Sequence, residues 1–358
     1  MPAPGRGSVV RALIAALLVL LVGCTGEPAP TPTPTPTADE TADPAPSGVQ
    51  VAVIVPAASD PAAASFLDAE RQLARLEADR VGDVASVRVI VPDDPDFVPD
   101  LAALVADGGA DLVCVLGSSG RRTVTALAER FPATRFCALA APRENLPDNV
   151  DLFDVAYEEL GHVLGVAADA AGAGGSVGVV LGDDDDPRAR RRAGLRAALA
   201  GGEVSVDTIV RDPSEATELA RTTDEEPLAT VVVDVADAGL ATVVAASASS
   251  WIGPRGVTVD ASAGSAVVRW WLRADVIVGA AVDRLVQTDR PDELSRLGFE
   301  QEVFALTFGE GTNDAVRAVT DVAADEFARG VRDPLEPRAA EPADEDDEDA
   351  ATGPGTTD

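Results

Sequence analysis

Short, unbroken runs of β-branched residues alternate with amphipathic Ala/Leu/Arg stretches from residue 49 onward, and this alternation limits the folds open to the chain. Runs such as DLVCVLG (111–117), GSVGVVLG (175–182) and LATVVVD (228–234) are apolar almost throughout. A strand with one solvated face would alternate polar and apolar residues, whereas a parallel strand covered by helices on both faces reads as a continuous apolar run. The pattern predicts strands at 49–56, 86–92, 111–117 and 134–140, with helices at 61–80, 97–107 and 120–131 between them. A second series predicts strands at 150–155, 175–182, 203–210, 228–234 and 254–260, separated by helices at 157–171, 187–200, 213–222 and 237–250. After Trp271, a helix at 275–288, a strand at 302–308 and a helix at 311–329 complete the pattern.

Two such series of about 100 residues each imply an α/β protein of two doubly wound, Rossmann-like parallel-sheet lobes joined by a hinge. The expected N-terminal lobe comprises 49–153 plus 271–296, and the C-terminal lobe 154–270 plus 297–334. Residues 335–358, acidic and poor in apolar side chains, are expected to be a disordered tail.

The first 48 residues have a different character. Arg6 and Arg11 precede an apolar run from Ala12 to Val22 that ends in Leu21-Val22-Gly23-Cys24. That run is shorter than the roughly 20 residues a spanning helix needs, and its basic flank and small residues mark residues 1–23 as a secretory signal. The Leu-x-Gly-Cys ending resembles a bacterial lipobox, which implies lipidation of Cys24 and cleavage just before it. Acyl chains then hold the protein on the extracytoplasmic face of the cell membrane. Residues 24–48, rich in Pro and Thr, read as an extended spacer.

Charge and composition exclude several functions. With 61 acidic residues against 28 basic ones, the net charge of −33 disfavours a nucleic-acid partner. All of the basic residues are arginine. The single histidine, His162, falls inside a helical segment with no Ser, Cys or second His at a motif spacing, so it reads as a surface or satisfied core residue. No nucleophile elbow, zinc motif or phosphate loop is present, so neither an enzyme nor a cofactor is expected. The aspartates at 183–186 lack the alternate spacing of a calcium loop and read as a solvated helix cap. Cys114 and Cys137 lie in consecutive predicted strands. Two buried free thiols are the expectation, because packed central strands leave little room for disulfide geometry; a bridge is the alternative.

Ligands of open α/β sheets bind beyond the carboxyl ends of the strands. That rule selects Asp60 and Phe66 after the first strand, and Ser118 and Ser119 after DLVCVLG. It adds Asp234 and Asp237 after LATVVVD, and Asp260 after GVTVD. Trp270 and Arg273 flank the predicted return crossing between lobes. Carboxylates there would accept hydrogen bonds from ligand hydroxyl or amino groups, and an aromatic face would stack on a planar ring.

The segments VAVIVPAASDPAAASFLDAERQL, ADLVCVLGSS, ERFPATRFCALAA, DNVDLFDVAYEELGHVLGVAADAAG, GSVGVVLGDDDDPRARRRAGLRAAL and GVTVDASAG together resemble the basic membrane protein family of substrate-binding lipoproteins. The combination of FPATRF, DNV and E-E-x-G-x-x-L-G-x-A-A carries most of the likeness, which extends from Val49 to Pro334. The resemblance implies a type I periplasmic-binding-protein fold and a monomer that clamps a small molecule between its lobes for an ABC permease. It implies a purine nucleoside in several members, with Phe66 as the ring-stacking residue and Asp260 at the ribose. Leu67 replaces the family's Asn. VADAG replaces a Gly-rich turn, and Arg269 or Arg273 stands in for a missing Lys. A surface sensor that retained the scaffold and lost the ligand site is the alternative.

Overall fold

The computed structural model describes residues 48–336, apart from 61, 142–145, 174, 183–185, 200–203, 211, 224–227, 236, 260–263 and 288–295. Cys24, the spacer and most of the acidic tail lie outside the described residues. Among the described residues, no helix is long and apolar enough to cross a membrane.

The first sheet is built from β1 (Val49–Ile54), β2 (Val84–Ile90), β3 (Leu112–Val115), β4 (Arg135–Leu139), β5 (Val150–Val155) and β11 (Arg296–Leu297), in the order β11-β5-β4-β3-β1-β2. The second contains β6 (Val177–Leu181), β7 (Val204–Ile209), β8 (Leu228–Asp234), β9 (Ala248–Pro254), β10 (Ser265–Leu272) and β12 (Phe304–Phe308), in the order β12-β10-β9-β8-β6-β7. The two orders follow one plan: the second strand of each series pairs outside the first, and the remaining strands build away on the other side. Every pairing is parallel except β10 with β12. The direction of travel explains the exception. β10 runs toward the hinge and β12 returns from it, whereas β5 and β11 both run toward it.

The helices are α1 (Ala69–Asp79), α2 (Val98–Asp107), α3 (Gly120–Ala128), α4 (Tyr157–Gly172), α5 (Asp186–Ala198), α6 (Pro213–Thr223), α7 (Ala238–Ala245), α8 (Ala274–Val286) and α9 (Asp314–Ala328). Helix α8 packs on α1 in the first lobe, and α9 packs on α4 in the second. Strands such as β3 and β6 are buried at every residue, as two-sided coverage requires.

Near residue 250 the structure departs from the sequence expectation. Helix α7 stops at Ala245, and the next strand is β9 at Ala248–Pro254 rather than 254–260; β10, at Ser265–Leu272, was not expected at all. The polar and small residues of Ala-Ser-Ser-Trp concealed a strand whose pairing with β8 and β10 outweighs its weak local propensity. Val257–Val259 of GVTVD lie outside any strand.

Cys114 and Cys137 form a disulfide, which overturns the expectation of free thiols. They are direct partners in the parallel register of β3 and β4, with Cα atoms 4.4 Å apart, inside the range a bridge accepts. Adjacent parallel strands bring side chains of one face opposite each other, so a central position favours the bond. Closing a loop of 23 residues should stabilise the fold by about 3 kcal/mol. The Cys114→Ser/Cys137→Ser variant should therefore unfold at lower urea concentration, and an unchanged midpoint would argue against the bond.

The motif residues FPATRF and DNV serve the first lobe. The Asn149 amide donates to the carbonyls of Ala128 (3.1 Å), Phe131 (3.1 Å) and Thr134 (2.9 Å), tying the end of α3 to the start of β4. Asp151 accepts from the buried Arg135 and, at 3.3 Å, from Arg284 of α8.

Candidate functional site

The carboxyl ends of β1, β3, β4 and β5 face the start of α4 and the first turns of α5 across a cleft of about 780 Å³. The first lobe contributes Phe66, Ser118, Ser119, Arg121, Arg122 and Asp154, and the second contributes Tyr157, Asp186, Arg188, Arg190 and Arg191.

Asp60 lies just beneath this surface, 3% exposed. One of its oxygens accepts from the Ala62 N–H at 2.8 Å. The other accepts from both the N–H and the hydroxyl of Ser118, each at 3.0 Å. These bonds span the point where strand order reverses between β1 and β3, the usual crevice for ligands in open sheets. Phe66 is fixed by packing and lines the cleft.

At the corresponding point of the second sheet, between β6 and β8, Asp234 is already occupied. Arg191 Nε donates to its carboxylate at 2.8 Å, and Arg188 Nε lies 3.6 Å from it. The Arg191 guanidinium lies over the Tyr157 ring at 5.0 Å and over the Trp270 ring at 4.9 Å. Asp234 and Trp270 therefore lie beneath the cleft, where they hold Arg191 at its wall and do not line it themselves. Asp237 caps α7, accepting from the Leu240 N–H at 2.8 Å. Asp260 lies outside the described residues, as do the aspartates at 183–185.

Arg273 sits at the hinge. It pairs with Asp275 at 2.8 Å and Glu302 at 2.9 Å, and its N–H donates to the Val303 carbonyl. A second tie between crossings runs from the Ala156 N–H to the Leu297 carbonyl at 2.8 Å. Glu158 accepts from Arg190 at 2.8 Å and also pairs with Arg296. Arg190 in turn reaches Asp154 at 2.6 Å, so one guanidinium joins the second lobe to the first sheet. On the far rim, the Gly256 N–H donates to the Ala64 carbonyl at 3.1 Å, and Arg255 approaches Asp68 at 3.7 Å. Contacts at the hinge and at the rim place the lobes together over the cleft.

Glu159 accepts from the Phe299 N–H at 3.1 Å across the hinge. Burial pushes its carboxyl above the ordinary value of 4.5, partly offset by that hydrogen bond and by the charge of Arg296. The folded protein thus holds this proton more tightly than the unfolded chain. The associated stability is complete below pH 4.5 and is lost as pH rises through the folded value. Glu159→Gln keeps an oxygen acceptor and removes the titration. Its Tm should match the parent near pH 4 and exceed it at pH 7. Equal Tm values at both would refute the assignment.

His162 is fully buried, edge-on to Phe327 at 5.4 Å, with Nδ1 2.9 Å from the Pro334 carbonyl. It docks the segment after α9 in the second lobe, away from the cleft. Among the described residues, no group of His, Cys, Asp and Glu is arranged to hold a metal.

Of the residues singled out by sequence, Phe66, Ser118 and Ser119 line the cleft, with Asp60 directly below. The arginines at 121, 122, 188, 190 and 191, with Tyr157, were missed. Their signal was available: Gly-Arg-Arg directly follows the Ser118-Ser119 turn, and Arg-Ala-Arg-Arg-Arg at 188–192 opens a helix at a strand's carboxyl end.

No protein-family model matches the chain, and no curated protein matches it. Solved structures do. An ABC transporter solute-binding protein from Conexibacter woesei superposes with a TM-score of 0.60 at 22% identity, covering 79% of this chain and 98% of that one. A transcriptional activator of the comK gene from Bacillus halodurans gives 0.58 at 14% identity, covering 80% and 99%. A periplasmic ribose ABC transporter from Conexibacter woesei gives 0.52 at 15% identity, covering 79% and 98%. The chain has the two-lobed α/β fold of the type I periplasmic binding proteins.

Proposed function

We propose that the chain is a solute receptor that clamps a small polar molecule between its lobes and presents it to an ABC permease. The observation that carries this reading is the cleft itself. Polar groups from both lobes converge on it, it lies at a strand-order switch point, and it is bounded by a hinge of three crossings. Solute-binding proteins of ABC transporters among the similar structures support the role. Binding rather than catalysis suits the residues present. The Ser118–Asp60 pair has no histidine beside it, since His162 is buried elsewhere.

The reading extends to a lipid on Cys24 that tethers a monomer to the extracytoplasmic face of the membrane, with residues 24–48 as spacer. A buried disulfide supports an oxidising compartment. Membership of the basic membrane protein family remains part of this proposal, as does a purine nucleoside ligand stacked on Phe66. A second reading, a sensor that has lost the ligand site, is favoured by one observation. Asp234, Trp270 and Arg273 are all engaged in internal contacts.

Thermal shift against sugars, nucleosides, nucleotides, amino acids and organic acids separates the two. A ligand at 100 times its Kd stabilises by about 2.7 kcal/mol. That corresponds to a Tm rise of roughly 4 °C for a protein of this size. A cooperatively folded protein that no compound stabilises would sink the receptor reading. Cys24→Ser should release the protein from the membrane fraction, and retention would sink the anchor.

A further inference from the structure

The chain carries 61 acidic and 28 basic residues, yet the cleft reverses that ratio: Arg121, Arg122, Arg188, Arg190 and Arg191 line it against Asp154 and Asp186. Concentrating like charges in a low-dielectric crevice is unfavourable unless something of opposite sign enters it. Some of that charge is used internally. Arg190 is bound by Asp154 and Glu158, and Arg188 and Arg191 share Asp234.

The remaining charge is concentrated at the start of α3. Arg121 and Arg122 are exposed into the cleft, and neither forms an ion pair with a described residue. They occupy the first turn of a nine-residue helix whose N-terminus adds partial positive charge. Beside them, the Ser119 hydroxyl oxygen is buried without a hydrogen-bond partner. A buried hydroxyl left unpaired is costly, and rotation of this side chain toward the cleft would let it bond a ligand atom or a water. Nearby carboxylates cancel only part of this charge. Both oxygens of Asp60 are taken by Ala62 and Ser118, and Asp154 faces Arg190, which leaves Asp186 as the cleft carboxylate set against the two arginines.

We infer that the solute of this cleft is a small organic anion, its carboxylate or phosphate group seated by Arg121, Arg122 and the Ser119 hydroxyl at the N-terminus of α3. This rests on the solute-receptor reading and specifies the ligand class. The planar guanidinium forks suit either oxyanion. The uncharged part of the molecule lies toward Phe66 and Tyr157, where Ser118 offers a further polar contact.

The test is titration calorimetry on the full mature chain with matched pairs: D-ribose 5-phosphate with D-ribose, uridine 5′-monophosphate with uridine, and D-glucuronate with D-glucose. The phosphate and carboxylate arms distinguish the two oxyanions. At least one anion should bind at least tenfold more tightly than its neutral partner. That affinity should weaken between 20 and 300 mM salt. Arg121→Gln/Arg122→Gln should lower it tenfold or more at unchanged Tm, because both side chains are exposed, and Ser119→Ala should lower it further. Neutral members binding as tightly as the anions would overturn the anion assignment and leave the solute receptor standing. No binding by any of the six compounds would overturn the assignment as well. In that case, stabilisation by other solutes in the thermal-shift panel decides whether the receptor reading falls with it.

Discussion

Asp234→Ala should cost about 3–5 kcal/mol of folding stability, the range seen when one partner of a buried charge pair is removed. Asp234 is 6% exposed at the end of β8, with Arg188 and Arg191, 3% and 7% exposed, gathered on its carboxylate. Alanine leaves Arg191 buried against the Tyr157 and Trp270 rings with its carboxylate removed, and it strips Arg188 of the same partner. Cation–π contact and hydration of the cleft side recover a fraction of this at most. Asn keeps an oxygen acceptor and should fall between Ala and the parent. Urea unfolding followed by far-UV circular dichroism measures the change. The outcome separates two roles. A residue that contacted ligand would weaken binding and leave the midpoint in place, whereas one that positions Arg191 lowers the midpoint first. A loss below about 0.5 kcal/mol, within the scatter of ordinary surface substitutions, would refute the positioning role.

Gly194→Ala should be at least as damaging, with a loss of about 3 kcal/mol or more or failure to fold. A Cβ at Gly194 would lie 1.9 Å from the carbonyl oxygen of Glu158, and one at Gly161 would lie 1.9 Å from that of Arg191. Both obstacles are backbone, so no rotamer change relieves them, and α4 must move off α5. The movement would travel directly to the site. Helix α5 carries Arg188, Arg190 and Arg191, and α4 begins at Tyr157 and Glu158. A variant that folds should therefore lose the Arg190 link to Asp154 as well as stability. Ala at Gly311, where no heavy atom lies within 4 Å but φ is +83°, is the useful contrast, since it adds backbone strain without a clash. A Gly194→Ala protein with parental Tm would show that the helices do not approach this closely.

The segments that made the chain resemble a family prove to act on the fold. E-E-x-G-x-x-L-G-x-A-A supplies Gly161 and Gly165 for helix contact and Glu158 and Glu159 for the hinge. DNV supplies Asn149, which ties down three carbonyls, and Asp151, which binds Arg135. Such residues are legible because their spacing is local to one helix or one turn. The cleft arginines also stand in local runs, but a run does not show which of its members a carboxylate elsewhere in the fold will pair, which is why the fold came through more fully than the site.

The apolar runs by themselves determined two covered parallel sheets, because a strand buried on both faces has no position for a polar residue. They also placed most helices, Phe66, and the Ser118-Ser119 turn. Tertiary structure decided the rest. Register brought Cys114 opposite Cys137, although consecutive strands alone did not establish a bond. Neighbouring strands made β9 and β10 from segments with little local preference. Above all, the fold decided the partner of each charge. Asp234 and Arg273, free to serve a ligand in one dimension, are taken up by arginines and hinge carboxylates, while Arg121 and Arg122 are left facing the cleft. Electrostatic pairing depends on distance through space, and that distance exists only once the two lobes have folded.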